Sequence, residues 1–273
     1  MNTIRKINKK ETISAQQLYI KKHRHHHHFV ALMRLVVFFL FLGIWEAAAD
    51  TGLIDSFFFS SPRLVISYFC KMVMDGSFFS NTGITLLETL ISFFLITLIS
   101  LVCATILWYS KTFSEITEPY LVILNSLPKS ALAPLFIVWL GTGIDTIIVA
   151  GISVALFGSI ISLYAGFKQV DPEKLKLIYT LGGNRMTAFH KVVLPASIPV
   201  ILSNMKVNIG LALVGVIIGE FLAARRGLGY LIIYGSQVFQ LNMLITSIII
   251  LCVIAMLLYQ CIQWTEHWYK KRG

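Results

Sequence analysis

Residues 171–195 read DPEKLKLIYTLGGNRMTAFHKVVLP, a polar stretch with its own punctuation, set between two long apolar runs. Asp171-Pro172-Glu173 is a helix start. The Asp side chain can accept an orphan backbone N–H, proline suits the first helical position, and an acid there meets the positive end of the helix dipole. Gly182-Gly183 ends that helix, because glycine takes the left-handed cap at little steric cost. Asn184 then caps a second short helix with Met186, Phe189 and Val192 on one face, and Leu194-Pro195 stops it. A pore with nothing to drive needs only a short turn here. Helix, glycine break and helix read instead as a docking element.

The runs on either side of this loop set the class of protein. The chain has 273 residues, 56% hydrophobic and 13% charged, with a mean hydropathy of +0.77. That balance is too apolar for a soluble domain and excludes a disordered tail or a disulfide scaffold. A bilayer-spanning helix takes roughly 20 apolar residues. Apolar runs of that length predict six transmembrane helices, near 29–49, 84–109, 118–140, 144–166, 197–222 and 241–263. The expected fold is therefore an all-α integral membrane protein. Its parts are a basic tail at 1–28, a first span at 29–49, an extracytoplasmic loop at 50–83, a core at 84–263 with the loop 167–196, and a tail at 264–273. The first span follows no small-residue cleavage pattern and reads as an anchor.

Charge placement gives orientation. Of 23 Lys and Arg residues, seventeen fall on the side that holds both termini and the 167–196 loop, and four on the other, while Lys129 and Lys206 lie within spans. Basic residues concentrate on the cytoplasmic side, so the termini are expected there. The net charge of +10 is then a property of topology and anionic lipid, and no nucleic acid is called for. In the 50–83 loop, Ser61-Pro62 starts a helix with Leu64, Val65, Tyr68, Phe69 and Met72 at helical spacing, read as an amphipathic interfacial helix. The run His25–His28 reads as a solvated juxtamembrane segment rather than a metal site. Of the four cysteines, Cys103, Cys252 and Cys261 sit in apolar runs and Cys70 in the loop, which makes no disulfide framework.

The 167–196 loop resembles the coupling loop of permease subunits in type I ATP-binding-cassette importers. Thr180-Leu181-Gly182-Gly183-Asn184-Arg185 and Val192-Val193-Leu194-Pro195 match that signature at its spacing. The Glu-Ala-Ala triplet of the signature is replaced by Lys176, Leu177 and Ile178. Leu127 to Gly141, followed by Gly143-Ile144-Asp145, is similar to the third-span signature of the nitrate, sulfonate and taurine branch. Glu220 to Ala224 and Gly227-Leu228-Gly229-Tyr230-Leu231 are similar to its fifth-span exit. The resemblance implies that Leu181, Gly182, Gly183, Val192, Leu194 and Pro195 couple to an ATPase subunit. It also implies a homodimeric permease, an extracytoplasmic solute-binding protein, and ATP bound by the partner with no cofactor on this chain. No GxxxxGK[ST] phosphate-binding loop occurs, and no constellation for catalysis stands out.

Polar residues inside spans are costly and usually face a cavity or a partner. Lys129, between Pro128 and Pro134, falls about ten residues into the third span, about 15 Å deep, and is either a pathway cation or a snorkelling or paired lysine. Asn204 and Asn208 share a face of the fifth span with Gly215 and Gly219, whose spacing predicts close helix packing. Lys206 lies off that face and is expected to pair or reach a headgroup. Glu88 and Glu220, toward the outer side, are either gate residues or interfacial. The turn from Arg225 to Gly229 either touches a docked receptor or is solvated. The expected function is import of a small anionic solute of the sulfonate, taurine, nitrate or bicarbonate kind. The alternatives are a thiamine precursor or other heterocycle, and a stand-alone ion-coupled transporter.

Overall fold

The computed structural model describes residues 29–30 and 32–271. The basic tail 1–28, with its His run, lies outside the described residues. The chain divides into two units, residues 1–64 and 65–273.

In the first unit a span, α1 (Leu32–Asp50), is followed by a single turn, α2 (Ser56–Phe59), and the start of α3 (Pro62–Met74). The predicted cap is present: Ser61 Oγ accepts from the Leu64 N–H, and Pro62 opens the helix. Glu46 of α1 reinforces that terminus by accepting from the Arg63 N–H at 3.0 Å, an acid at a helix N-terminus.

The second unit holds the body of α3 and the helices that follow: α4 (Ser77–Tyr109), α5 (Lys111–Ser126), α6 (Lys129–Leu140), α7 (Ile144–Lys168), α8 (Pro172–Thr180), α9 (Arg185–Ala188), α10 (Leu194–Ala223), α11 (Leu228–Gln237) and α12 (Leu241–Lys270). Helix α4 starts seven residues before the apolar run. Asp75 Oδ1 accepts from the Ser77 N–H, and its bonds with Ser77 hold that carboxyl below the ordinary carboxylate value. Helix α12 likewise runs on through 264–270. The apolar face of α3, read as lying on the interface, is met in part by protein. Met72 is buried with Leu213, Leu228 and Ile254, and Tyr68 packs on the same cluster.

Two expectations are corrected. The third span is not one helix over 118–140 but two, α5 and α6, meeting at 95°. A residue before proline is pushed out of the helical region, and Leu127, ahead of Pro128, is extended with φ −63° and ψ 137°. Lys129 is therefore the first residue of α6 at an elbow, not a side chain midway along a straight span. Counting the bent pair as one, the helices long and apolar enough to cross a membrane number six among the described residues, and five without it.

The second correction concerns Leu194-Pro195, which does not stop a helix. Helix α9 continues through a wider π turn, Phe189–Val193, into α10, giving one rod from Arg185 to Ala223. The π turn shifts the hydrogen-bond register just ahead of Pro195, which needs no N–H donor at the start of the α ladder that follows. The face assigned to Met186, Phe189 and Val192 is also redistributed: Met186 is exposed, while Phe189 and Val193 are buried.

Helix α10 packs against α7, α4 and α12. Its approach to α7 is as close as the glycine spacing predicts. A Cβ on Gly215 would lie 2.7 Å from the Gly151 Cα, and one on Gly219 would lie 2.8 Å from the Ile147 Cα. Lys206 pairs with Glu266, largely buried, and so ties α10 to α12.

Candidate functional site

The loop after α7 is built by its caps. Asp171 Oδ1 accepts from the Glu173 N–H at 2.9 Å, and Asn184 Oδ1 accepts from the Thr187 N–H at 2.8 Å. The two glycines between them have different duties. Gly182 has φ +80°, the left-handed region, with open space around it. At Gly183 a Cβ would meet Ile178 Cγ2 at 2.5 Å, so that position needs closeness rather than φ. The Gly183 N–H donates to the Ile178 carbonyl at 2.9 Å and the Gly182 N–H to the Tyr179 carbonyl at 3.0 Å, closing the end of α8.

This turn presents apolar side chains to the outside. Leu181 is 74% exposed, with Leu177, Tyr179 and Met186 exposed beside it. Of the predicted coupling residues, Leu181 and Gly182 form the tip. Val192 and Leu194 are not at the tip: they pack against the cluster of Phe167, Phe189 and Val193 that seats the loop on α4 and α7. Pro195 is exposed on the continuous helix. The sequence reading missed Leu177 and Tyr179; for Leu177 the four-residue spacing from Leu181 on a short capped helix carries the signal, while Tyr179, two residues from Leu181, has no such spacing. It also missed Arg185, whose guanidinium lies 5.4 Å from the Trp108 ring and 5.6 Å from the Tyr109 ring and donates to the Trp108 carbonyl at 3.0 Å.

A second feature is a groove of about 480 Å³ between α7 and α10, lined by Gly158, Ser159, Ser162, Ser203, Asn204 and Asn208 among others. The two asparagines, one helical turn apart, both donate to the buried Ser159 Oγ, at 2.6 and 2.9 Å. The sequence reading found Asn204 and Asn208 but not Ser159, which sits on another span. Lys129 is not joined to them by a contact. Its ammonium lies 5.2 Å from the Phe157 ring and donates to the Leu124 carbonyl. Gly158, next along α7, lines the groove, and a Cβ there would lie 3.1 Å from Asn125 Oδ1. The elbow of the bent pair thus stands at the groove's side.

The third feature joins Glu88 and Glu220, both buried. Glu220 accepts from the Thr85 hydroxyl at 2.6 Å and from the Gly229 N–H. Thr85 Oγ1 accepts in turn from the Leu228 N–H at 2.9 Å, and Asn81 Oδ1 accepts from the Gly227 N–H at 2.8 Å. Glu88 is buried close to Glu220, and its Oε2 meets no hydrogen-bond partner among the described residues. The glycines of Gly227-Leu228-Gly229 make room for this carboxylate, since a Cβ would fall 2.4 Å from Glu220 at Gly227 and 2.7 Å at Gly229. The cluster fastens α4 to the turn before α11. Arg225 and Arg226 in that turn are exposed.

The sequence pattern of the family described as binding-protein-dependent transport system inner membrane component matches residues 96–272. The chain belongs to this family. It is a permease component of an ABC importer, a multi-pass inner membrane protein whose ATPase is a separate subunit. Permeases of the family bind no cofactor, and ATP is hydrolysed by the partner; among the described residues, no group of three His, Cys, Asp or Glu could hold a metal. A probable ABC transporter permease of Haemophilus influenzae is 29% identical over 236 residues, 86% of this chain and 96% of that protein. A putative aliphatic sulfonates transport permease of Bacillus subtilis is 26% identical over 217 residues, 79% of this permease and 78% of the relative. Other relatives are named as formylaminopyrimidine, riboflavin and taurine transport permeases. In fold, the permease matches the methionine ABC transporter in an inward-facing conformation, with TM-score 0.60 and 18% identity over 68% of this chain and 92% of that one.

Proposed function

We propose that this permease carries a small sulfonate or similar anion inward along the α7–α10 groove, working as a homodimer. Two ATPase subunits would receive the turn at Leu181-Gly182, and an extracytoplasmic binding protein would deliver the solute. The observation that carries the reading is the groove itself, where Ser159, Asn204 and Asn208 form a hydrogen-bonded set with Ser162 and Ser203 beside it. Polar side chains inside a membrane protein are costly unless they meet one another or a passing solute. Lys129, on the elbow beside the groove, supplies a cation within reach of an anion in transit. The relatives named for sulfonates and taurine support the anionic class.

A heterocyclic solute is the second reading. It is favoured by the relatives named for riboflavin and formylaminopyrimidine, and by the absence of any charged group among the residues lining the groove itself. The coupling role is assigned to Leu181, Gly182 and Gly183 at the tip, with Val192, Leu194 and Pro195 holding the base of that loop. Glu88 and Glu220 are assigned to the outer end of the pathway, where their cluster would close it.

The test is accumulation in proteoliposomes holding the permease with its ATPase and binding protein. Taurine or an alkanesulfonate should accumulate with ATP, and the Asn204→Leu, Asn208→Leu double variant should lose about tenfold of that uptake, the equivalent of one or two lost hydrogen bonds. Accumulation of riboflavin with no sulfonate uptake would transfer the assignment to the heterocycle. Undiminished uptake by the double variant would remove the groove from the pathway.

A further inference from the structure

Two adjoining cavities lie where α4, α5 and α7 meet the coupling loop, away from the α7–α10 groove. The one nearer the loop holds about 300 Å³ and is lined by Trp108, Lys111, Glu115, Glu118, Lys168 and Arg185, with others. The next holds about 270 Å³ and is mostly apolar, with Leu107, Leu121, Ile161 and Ala165. Both are bordered by Leu107, Ser114, Glu118, Tyr164 and Lys168, so they form one cleft. Its apolar half runs back along the spans: Leu121 is ten residues from Lys111, about 15 Å along a helix, and Ile161 about 10 Å from Lys168. A cleft charged at the end of the spans and apolar toward their middle has the profile of a phospholipid.

The charges in the polar half narrow the class. Lys168 is held over the Tyr164 ring at 5.1 Å, and Arg185 over Trp108 and Tyr109. Neither is paired with a carboxylate in the ion pairs found among the described residues, where Lys111 meets Glu115 at 3.7 Å. Glu118 sits in both halves. Lys111 and Glu115 answer each other, which leaves two cations, Lys168 and Arg185, and one carboxylate, Glu118; a ligand carrying only a negative phosphate would meet the cations and set its own charge beside Glu118. A phosphodiester with a primary ammonium two carbons away answers both signs. Its phosphate can take Lys168 and the free N–H groups of Arg185, which suit a phosphate's oxygens, and its ammonium can donate to Glu118 or Glu115. We propose that this cleft binds an aminophospholipid, a phosphatidylethanolamine, and that its headgroup braces Arg185 and hence the base of the coupling loop.

The binding is independent of which solute the permease carries, so it is read without transport. The permease with its ATPase is extracted into detergent, equilibrated with equal amounts of phosphatidylethanolamine, phosphatidylglycerol and phosphatidylcholine, and weighed intact by native mass spectrometry. Phosphatidylethanolamine should be retained about tenfold over the other two, the scale of one charge-assisted hydrogen bond. Glu118→Gln should erase the preference over phosphatidylcholine. Lys168→Ala should lower retention of all three, and Lys168→Arg should restore it, which separates a binding loss from misfolding. Preference for phosphatidylglycerol, or no preference among the three, would overturn the proposal. So would displacement of the lipid by millimolar soluble phosphoethanolamine, which would make the ligand a free zwitterion.

Discussion

At Glu220 the permease buries a carboxyl that no sequence period would put inside. The cost is met by donors: the Thr85 hydroxyl and the Gly229 N–H both point at it. Glu88 beside it has an oxygen with no partner among the described residues, so the two acids are not equivalent, and their amide variants should differ. Glu88→Gln breaks none of the bonds that Glu220 accepts, and stability should stay within about 0.5 kcal/mol of the parent. In Glu220→Gln one oxygen becomes an NH₂ that faces donors, leaving at least one buried group unsatisfied, at about 1–3 kcal/mol. Glu220→Ala strands several and should cost more than either. Thermal unfolding of the purified permease in detergent reads all three. Equal losses for Glu88→Gln and Glu220→Gln would contradict the placing of the donors on Glu220. Gly227→Ala tests the same cage from the other side. At φ +119° and with a Cβ 2.4 Å from Glu220, it should be destabilised by at least about 1–2 kcal/mol.

Among the elements, the coupling loop shows most clearly what single residues encode. Its caps at Asp171 and Asn184 and its glycine break are local chemistry, and each was legible because the partner groups lie within five residues. The register shift at Phe189–Val193 was not, because a proline after a helix ordinarily signals an end, and only packing of Phe189 and Val193 against α4 and α7 keeps the rod continuous. The elbow at Leu127-Pro128 was half legible. Proline announces an interruption, but the 95° between α5 and α6 is set by what the two halves pack on. The Thr85–Glu220 bond and the Ser159 acceptor join residues 135 and 45 or more positions apart, beyond any pattern of spacing. Within the loop, Gly182→Trp is the discriminating substitution. The position has open space, so the variant should fold with a loss of about 1–2 kcal/mol from the strained φ. The indole would then stand beside Leu181 on the exposed tip, and ATP hydrolysis should continue while solute uptake falls severalfold. Uptake coupled as in the parent would count against the tip as the point of engagement.

For the whole molecule, the proposed orientation rests on two readings that agree. The exposed apolar tip at Leu181 is the proposed seat of the ATPase, which works where ATP is, and the loop that carries it is rich in lysine and arginine, as cytoplasmic segments are. The same logic puts the turn at Arg225-Arg226, at the far end of the α10 rod from Arg185, on the opposite side. A rod of 39 residues is about 58 Å long at 1.5 Å per residue, more than the roughly 40–45 Å of a whole bilayer, so its two ends cannot share a surface unless it lies flat. In a background with the four native cysteines replaced, Arg225→Cys should react with a membrane-impermeant maleimide in intact spheroplasts. Lys174→Cys, on α8, should react only after the membrane is opened. The reverse pattern would invert the permease and detach the coupling loop from any ATPase. Labelling of both without permeabilisation would mean that α10 does not span the membrane, and the packing of α4, α7 and α12 around it would need another account.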